Sequence, residues 1–446
     1  MMPGGQAAGA VRRSWGLYPP AAQTPHRVSW RDGIHRTLLA LHRECGTTLP
    51  YGNGRSYGDS CMAASDHVLE TRLLDRIVSA DWQTGVVAAE AGMTLGELLA
   101  LAVPRGWFLP VTPGTQHVTL GGAVANDVHG KNHHVRGTFG RHVRRFGLTR
   151  SDEADIVCSP DSRPELFTST IGGLGLTGVI GWVELGLVPI TSSMMETVSV
   201  RFGSLDEFFA LSRELDARHE YTVSWIDCLA KDRASGRGVF HAGDHAQNGP
   251  LRVSTNRQLV VPFTLPVSPI NRLTLRTFNA IHYAWQPSKR RFVTRYYEPF
   301  FYPLDRLLHW NRLYGRRGFQ QFQCVIPEAA APDAIAALLD AISRHGQGSF
   351  LAVLKRCGDL PSPGVLSFPI SGTSLALDFA QHDRLEPVVF ARLDAIVREA
   401  GGRLYPAKDA HMSGEDFRRA YPAWPQVESL RDPAICSKFW RRVTTT

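Results

Sequence analysis

Four glycine-rich segments crowd the first half of the chain: Tyr51-Gly52-Asn53-Gly54-Arg55-Ser56-Tyr57-Gly58-Asp59, Pro113-Gly114-Thr115, Thr119-Leu120-Gly121-Gly122-Ala123 and Ile171-Gly172-Gly173-Leu174-Gly175-Leu176-Thr177-Gly178. Glycine lacks Cβ and reaches positive φ, so successive amides can turn toward an anion and form a nest without any lysine. One such segment is an ordinary turn; four together point to a bound diphosphate. None is the nicotinamide fingerprint, because Gly52-Asn53-Gly54 runs into Arg55-Ser56-Tyr57-Gly58 and not into a helix with an acid about 20 residues on. No GxxxxGK[ST] loop occurs either. By elimination, several separated loops suggest FAD in a non-Rossmann cradle.

Short strands and helices alternate around these loops from Pro50 to Pro189. Ile77 to Ala80 and Val87 to Ala91 read as a hairpin across Asp81-Trp82-Gln83-Thr84-Gly85. Thr94-Leu95-Gly96-Glu97 is a capping box that opens a helix ended by Pro104 and Gly106. Leu120 to Val128 implies a short helix, and Val179 to Val188 the last strand of this half.

Beyond Pro189 the pattern resumes with strands at Val198–Phe202 and Tyr221–Asp227 around a helix capped by Ser204-Leu205-Asp206-Glu207. Strands follow at Gln321–Ile326, Phe350–Lys355 and Leu375–Phe379, with helices at Pro332–Arg344, closed by Gly346, and Pro387–Ala400, closed by Gly401. This predicts a second sheet with helices on one face. Lys231 to Arg295 shows no clear period and is expected to include loops over a site.

The 446 residues suffice for two to three domains of about 150 residues. Net charge +8 favours anionic partners, but there is no helix-turn-helix, RNP or basic-region motif, so nucleic acid is set aside. Seven scattered cysteines without a CxxC pair predict neither disulfides nor a zinc site, and a reducing cytoplasm. Met1 to Pro20 has Arg12 and Arg13 with no apolar run behind them, and Gly172–Ile190 is broken by Glu184 and Pro189, so neither a signal peptide nor a membrane-spanning helix is expected. Asp127-Val128-His129-Gly130-Lys131-Asn132-His133-His134 is the most polar cluster. Without a carboxylate or cysteine partner cluster it reads as a proton-handling pocket lining, not as a metal site.

Gly54-Arg55-Ser56-Tyr57-Gly58-Asp59, the run from Pro113 through Gly121-Gly122 to His129-Gly130-Lys131-Asn132-His133-His134, and Gly175-Leu176-Thr177-Gly178 closely resemble the decaprenylphosphoryl-β-D-ribose oxidases, which belong to the vanillyl-alcohol-oxidase type of FAD enzymes. The resemblance continues through Phe301–Asp305, Trp310-Asn311-Arg312, Gln321-Phe322-Gln323, Ser349 to Lys355, Ser367-Phe368-Pro369-Ile370 and Arg403-Leu404-Tyr405-Pro406-Ala407-Lys408-Asp409. It covers nearly the whole chain and is weakest over Lys231–Thr294.

The resemblance implies an α+β fold: a two-subdomain FAD-binding cradle, residues 1–189 completed by 403–446, with an inserted substrate domain of antiparallel sheet covered by helices, 190–402. It implies oxidation of the 2′-hydroxyl of a polyprenyl-phosphate-linked ribofuranose to a ketone, and a separate NAD(P)H-dependent short-chain reductase that completes epimerisation to the arabinose form. A lipid-linked substrate implies transient contact with the inner membrane face.

By the same carry-over Lys408, His129 and Lys131 are the catalytic candidates, with Lys408 stabilising anionic reduced flavin. Tyr57, Gln321, Gln323, Lys355, Ser374 and Ala376 would line the substrate pocket. Gly52, Asn53, Gly54, Arg55, Ser56, Tyr57, Gly58, Asp59, Gly114, Thr119, Leu120, Gly121, Gly122, Asn126, His129, Gly178, Ile180 and Tyr405 would hold FAD. Ala376 and Ser374 stand where actinobacterial members carry a cysteine and an asparagine, so thiol-dependent properties are not expected. Cys357, two residues after Lys355, reads as a buried, inert thiol. The first glycine loop has no histidine, which predicts non-covalent FAD. The competing readings are an oxidase of a soluble sugar, sugar alcohol or aldonolactone, and a non-catalytic flavin-fold scaffold.

Overall fold

The computed structural model describes residues 11–253 and 258–445. Residues 1–10, part of the stretch read for a targeting signal, and 254–257, within Lys231–Arg295, lie outside the described residues.

The first half is built on two sheets. Thr24–Arg27, His67–Glu70 and Leu49–Tyr51 pair in parallel in that order. Helix Gly33–Cys45 covers them by burying Ile34, Leu38 and Leu41, one helical stripe. The second sheet is antiparallel, in the order Ile77–Asp81, Val86–Glu90, Val179–Gly186, Val143–Thr149, Ile156–Cys158. Its first two strands are the expected hairpin. The Asp81 carboxylate accepts from Gln83 N and Thr84 Oγ1 at 2.9 and 2.7 Å, and Gly85 takes φ 72°. The Thr94/Glu97 capping box opens helix Leu95–Ala102, and left-handed Gly106 follows a 3₁₀ turn over Val103–Arg105.

The second half forms one eight-stranded antiparallel sheet, in the order Arg291–Tyr296, Met194–Phe202, Gly238–His245, Tyr221–Ile226, Ala352–Cys357, Gly372–Ala380, Phe319–Pro327, Arg403–Leu404. Side chains alternate between its faces with period two. Phe322, Cys324 and Ile326, with Leu354, Leu375, Leu377 and Phe379, pack in one apolar core with residues of helices Leu205–Asp216, Ala331–His345 and Ala391–Glu399. The alternate set, Gln321, Gln323, Val353, Lys355, Ser374 and Ala376, lines a cavity on the opposite face. That split, apolar toward the helices and polar toward the cavity, makes this half a wall for the site.

Two expectations change. Arg403–Leu404, assigned by sequence to the first block, is an edge strand of the large sheet, because it pairs with Val325 and Cys324. The Lys231–Arg295 stretch is more regular than its composition suggests: it contains strand Gly238–His245 and helix Arg272–Trp285. Only Leu275 and Asn279 of that helix are buried. The apolar residues Leu273, Phe278, Ile281 and Trp285 are exposed, so hydropathy alone does not mark the buried side of this helix.

After Leu404 the chain returns to the first half. Thr48 bridges Ile435 and Ala63 bridges Ser437. Arg442 binds the buried carboxylates of Asp59 and Asp409 at 2.8 and 2.9 Å, tying the terminal helix Lys438–Thr444 to the first glycine loop.

Candidate active site

A cavity of about 370 Å³ lies between the glycine loops and the polar face of the large sheet. All four glycine segments contribute to its lining. The first is the most open: among the described residues, no group accepts from the main-chain amides of Asn53, Gly54, Arg55 or Ser56, and Gly54 takes φ 59°. Consecutive unpaired amides around a left-handed residue form an anion nest. Gly114 and left-handed Gly175 line the cavity with no atom within 4 Å of where a Cβ would stand, so a side chain there would project into free space. These features fit the diphosphate and flat ring of FAD.

The third segment does different work. Leu120 N and Gly121 N already donate to Met93 O and Ala91 O, both 2.8 Å, and a Cβ on Gly121 would meet the Ala91 Cβ at 3.0 Å. Here glycine allows helix Leu120–Ala125 to approach strand Val86–Glu90. Leu120 itself is buried in the core and does not line the cavity, contrary to its expected contact with FAD. Gly58 and Asp59 also stand away from the cavity. A Cβ on Gly58 would run into the Asp409 carbonyl, and Asp59 is held by Arg442. Both secure the loop from behind. The other expected binding residues all line the cavity.

Three of the six lysines of the chain converge here. The Tyr57 amide donates to Ala407 O at 3.1 Å, so the next residue, Lys408, sets its Nζ 3.7 Å from the centre of the Tyr57 ring. Burial drives the Lys408 ammonium down to about 7, opposed by the Asp378 carboxylate. Lys131 Nζ donates to Phe301 O at 3.1 Å, and burial, aided by Lys355, lowers it to about 7. Lys355 Nζ donates to Gly130 O at 2.7 Å and stands 2.5 Å from His129 Nδ1. Burial first, then the charge of Lys355, holds His129 well below its usual value, so the ring is neutral. Its other nitrogen faces the Gln323 amide at 3.2 Å. His129 therefore positions Lys355 and Gln323, with both ring nitrogens already engaged.

Sequence reasoning missed Asp378. It sits on Gly372–Ala380 two residues after Ala376, facing the same way, and accepts from Gln321 Nε2 at 2.6 Å. Its second oxygen has no partner among the described residues. Burial raises it to about 7, with Gln321 and Lys408 pulling the other way. Gln321 thus lies between Asp378 and the Tyr57 hydroxyl. The signal was present: one acid between Leu377 and Phe379 on a strand whose alternate positions were already assigned to the pocket.

The three histidines of the polar cluster take separate partners. His129 faces the cavity, His133 Nδ1 accepts from Gly358 N at 3.1 Å, and His134 Nε2 meets His219 O at 3.1 Å. Cys357 is fully buried, packs with Phe368 and Tyr405, and has its thiol pushed up by burial. Tyr405 donates to Asn126 O at 2.9 Å and stacks on Phe368, bracing the wall beside His129.

Residues 34–157 match the family model of an FAD binding domain. The chain is 34% identical over 434 residues, 94% of each chain, to decaprenylphosphoryl-beta-D-ribose oxidase of Mycolicibacterium smegmatis. It is 33% identical over 356 residues to a protein of Streptomyces coelicolor described as an uncharacterized protein in the mprA 5′ region, covering 76% of this chain and 95% of that one. A shorter likeness, 27% over 186 residues, covers 41% of this chain and 33% of a putative D-arabinono-1,4-lactone oxidase of Neurospora crassa. Likeness at that level along the whole length, joined to a glycine-loop cradle fitted for FAD, makes the chain an FAD-dependent oxidoreductase that belongs to the decaprenylphosphoryl-β-D-ribose oxidase family.

Proposed function

We propose that this protein oxidises the 2′-hydroxyl of a ribofuranose joined through phosphate to a polyprenyl chain, giving the 2′-keto sugar. The observation that carries the reading is the convergence of three lysines, Lys131, Lys355 and Lys408, on one cavity, whose one lining carboxylate among the described residues, Asp305, is already engaged by Gln116 N and lies beside His117. A buried ammonium without a counter-charge costs several kcal/mol, and a phosphate ester supplies that charge with strong, charge-assisted hydrogen bonds. A neutral sugar or aldonolactone would leave the Lys355 ammonium uncompensated.

The division of the chain follows from the same reading. Residues 1–189, completed by the chain that follows strand Arg403–Leu404, form the FAD cradle of vanillyl-alcohol-oxidase type, and the stretch from 190 through that strand the inserted substrate domain. When bound, FAD supplies the acceptor for the hydride leaving the carbinol carbon. The amides of Asn53 to Ser56 hold its diphosphate. Lys355 Nζ and Gln323 hold the sugar phosphate, both steadied by His129. Lys131 Nζ, near 7, takes the hydroxyl proton as the C–H bond breaks. Lys408 Nζ, held against the Tyr57 ring, would supply positive charge to stabilise the anionic reduced cofactor. FAD is held without a covalent bond. The keto product then requires a separate NAD(P)H-dependent short-chain reductase to reach the arabinose form.

Selectivity for phosphate tests the reading. A prenylphosphoryl ribofuranose should reduce the flavin at concentrations about 100-fold below those needed by its phosphate-free analogue, and Lys355→Met should erase the difference. Equal use of the two by the unaltered protein would refute it.

A further inference from the structure

Among the described residues, nine of the sixteen exposed large hydrophobics fall between Leu259 and Phe292. Helix Arg272–Trp285 contributes an outward apolar arc. Its Asn279 donates to Asp227 Oδ1 at 3.0 Å and its His282 packs edge-on against Trp225, while Leu273 and Trp285 are 75% and 84% exposed. Val267 and Phe292 extend the patch at 79% and 75%.

Residues 258–296 hold six cations and no Asp or Glu. Arg290 pairs with Glu214; among the described residues, no carboxylate forms an ion pair with Arg272, Arg276, Lys289 or Arg291. The patch adjoins the cavity. Leu259–Val260 pair in parallel with Leu307–Leu308, which line it. Phe278 packs at 5.9 Å against Phe350, whose neighbour Leu351 lines the wall.

We propose that the 259–292 stretch docks the protein on an anionic phospholipid surface, with the cavity mouth turned toward the headgroups. Exposed aromatic and aliphatic side chains interleaved with cations that form no ion pair among the described residues match the chemistry of such a surface on two counts. Phe263, Trp285 and Phe292 enter the acyl boundary, and Arg276 and Lys289 meet lipid phosphates. The inference rests on the reading of the substrate as lipid-linked, since such a substrate presents its sugar at that boundary.

The test uses the FAD-loaded protein and co-sedimentation with vesicles of phosphatidylcholine containing about 30 mol% phosphatidylglycerol, against phosphatidylcholine alone. Binding is expected to the anionic vesicles and to be salt-sensitive. Arg276→Gln with Lys289→Gln should weaken it roughly 30-fold, about fivefold per cation. Phe263→Ser with Trp285→Ser and Phe292→Ser should abolish it while flavin content and reduction by a water-soluble short-chain prenylphosphoryl ribofuranose stay unchanged. Equal binding by these variants, no binding by the unaltered protein, or self-association lost in the triple variant without vesicle binding would overturn the proposal. Vesicle binding without flavin reduction refutes the substrate reading alone; flavin reduction without vesicle binding refutes the docking surface alone.

Discussion

Lys408→Met should stabilise the cofactor-free protein while crippling it. Lowering a lysine from 10.5 to about 7 corresponds to about 5 kcal/mol of unfavourable burial, at about 1.4 kcal/mol per pKa unit. The contact with the Tyr57 ring, at 3.7 Å, returns about 2 kcal/mol to the native state, and methionine fills much of the same volume. Asp378, itself near 7, can take up a proton once the ammonium is gone, so no bare charge is stranded. The net expectation is a gain of about 3 kcal/mol.

The sign of its pH dependence follows from the same shift. Below about 7 the lysine is charged in the folded and unfolded chains alike, and the native state bears the full penalty. Between 7 and 10.5 the unfolded chain binds more protons than the native one, so stability rises with pH and the advantage of the variant shrinks. Urea denaturation of both cofactor-free proteins from pH 6 to pH 10 measures this directly. In the loaded protein, flavin reduction by substrate should fall at least about 100-fold in the variant, the usual cost of removing one preorganised charge from developing negative charge. A variant less stable at every pH, or one that reduces flavin at the normal rate, would refute the reasoning.

Arg442→Met removes the guanidinium between Asp59 and Asp409, leaving buried Asp59 without an ion-pair partner and Asp409 with His411 alone among the described residues, a loss of about 3–5 kcal/mol by urea denaturation. Since His411 first and then Arg442 hold Asp409 below the usual carboxylate range against its burial, the deficit should shrink as falling pH protonates the acids. Gly58→Ala drives a Cβ into the Asp409 carbonyl and shifts the first glycine loop, so retained flavin per protein, read by absorbance, should drop sharply while Gly33→Ala, which meets no atom and lies off the cavity, binds nearly normally. Ala376→Cys places a thiol on the cavity wall beside Gln323, and mass spectrometry should find it alkylated in the folded protein while buried Cys357 is spared.

The parts of the fold legible in the sequence are those where local chemistry and tertiary burial agree. Thr94 and Glu97 cap a helix because the apolar stripe behind them is also the buried one. Gln321, Gln323, Lys355, Ser374 and Ala376 share a wall because strand alternation assigns them a face once their strands are placed. Helix Arg272–Trp285 escaped because its apolar arc faces outward and its buried positions include Asn279. Gly58 and Asp59 resemble ligand contacts within a glycine loop, yet their partners, Asp409 and Arg442, lie more than 300 residues along the chain. No local pattern encodes that return. Asp378 was hidden by a tertiary contact too: its meaning comes from Lys408, beyond helix Ala391–Glu399 and strand Arg403–Leu404.

The central claim is that this cavity oxidises a phosphate-linked ribofuranose through FAD. An anaerobic absorbance spectrum of the purified, FAD-loaded protein before and after addition of a prenylphosphoryl ribofuranose tests it, followed by acid precipitation. The account predicts bleaching of the flavin band on addition, and release of the flavin into the acid supernatant. A flavin band unchanged by that substrate but bleached by a phosphate-free sugar or aldonolactone would contradict it.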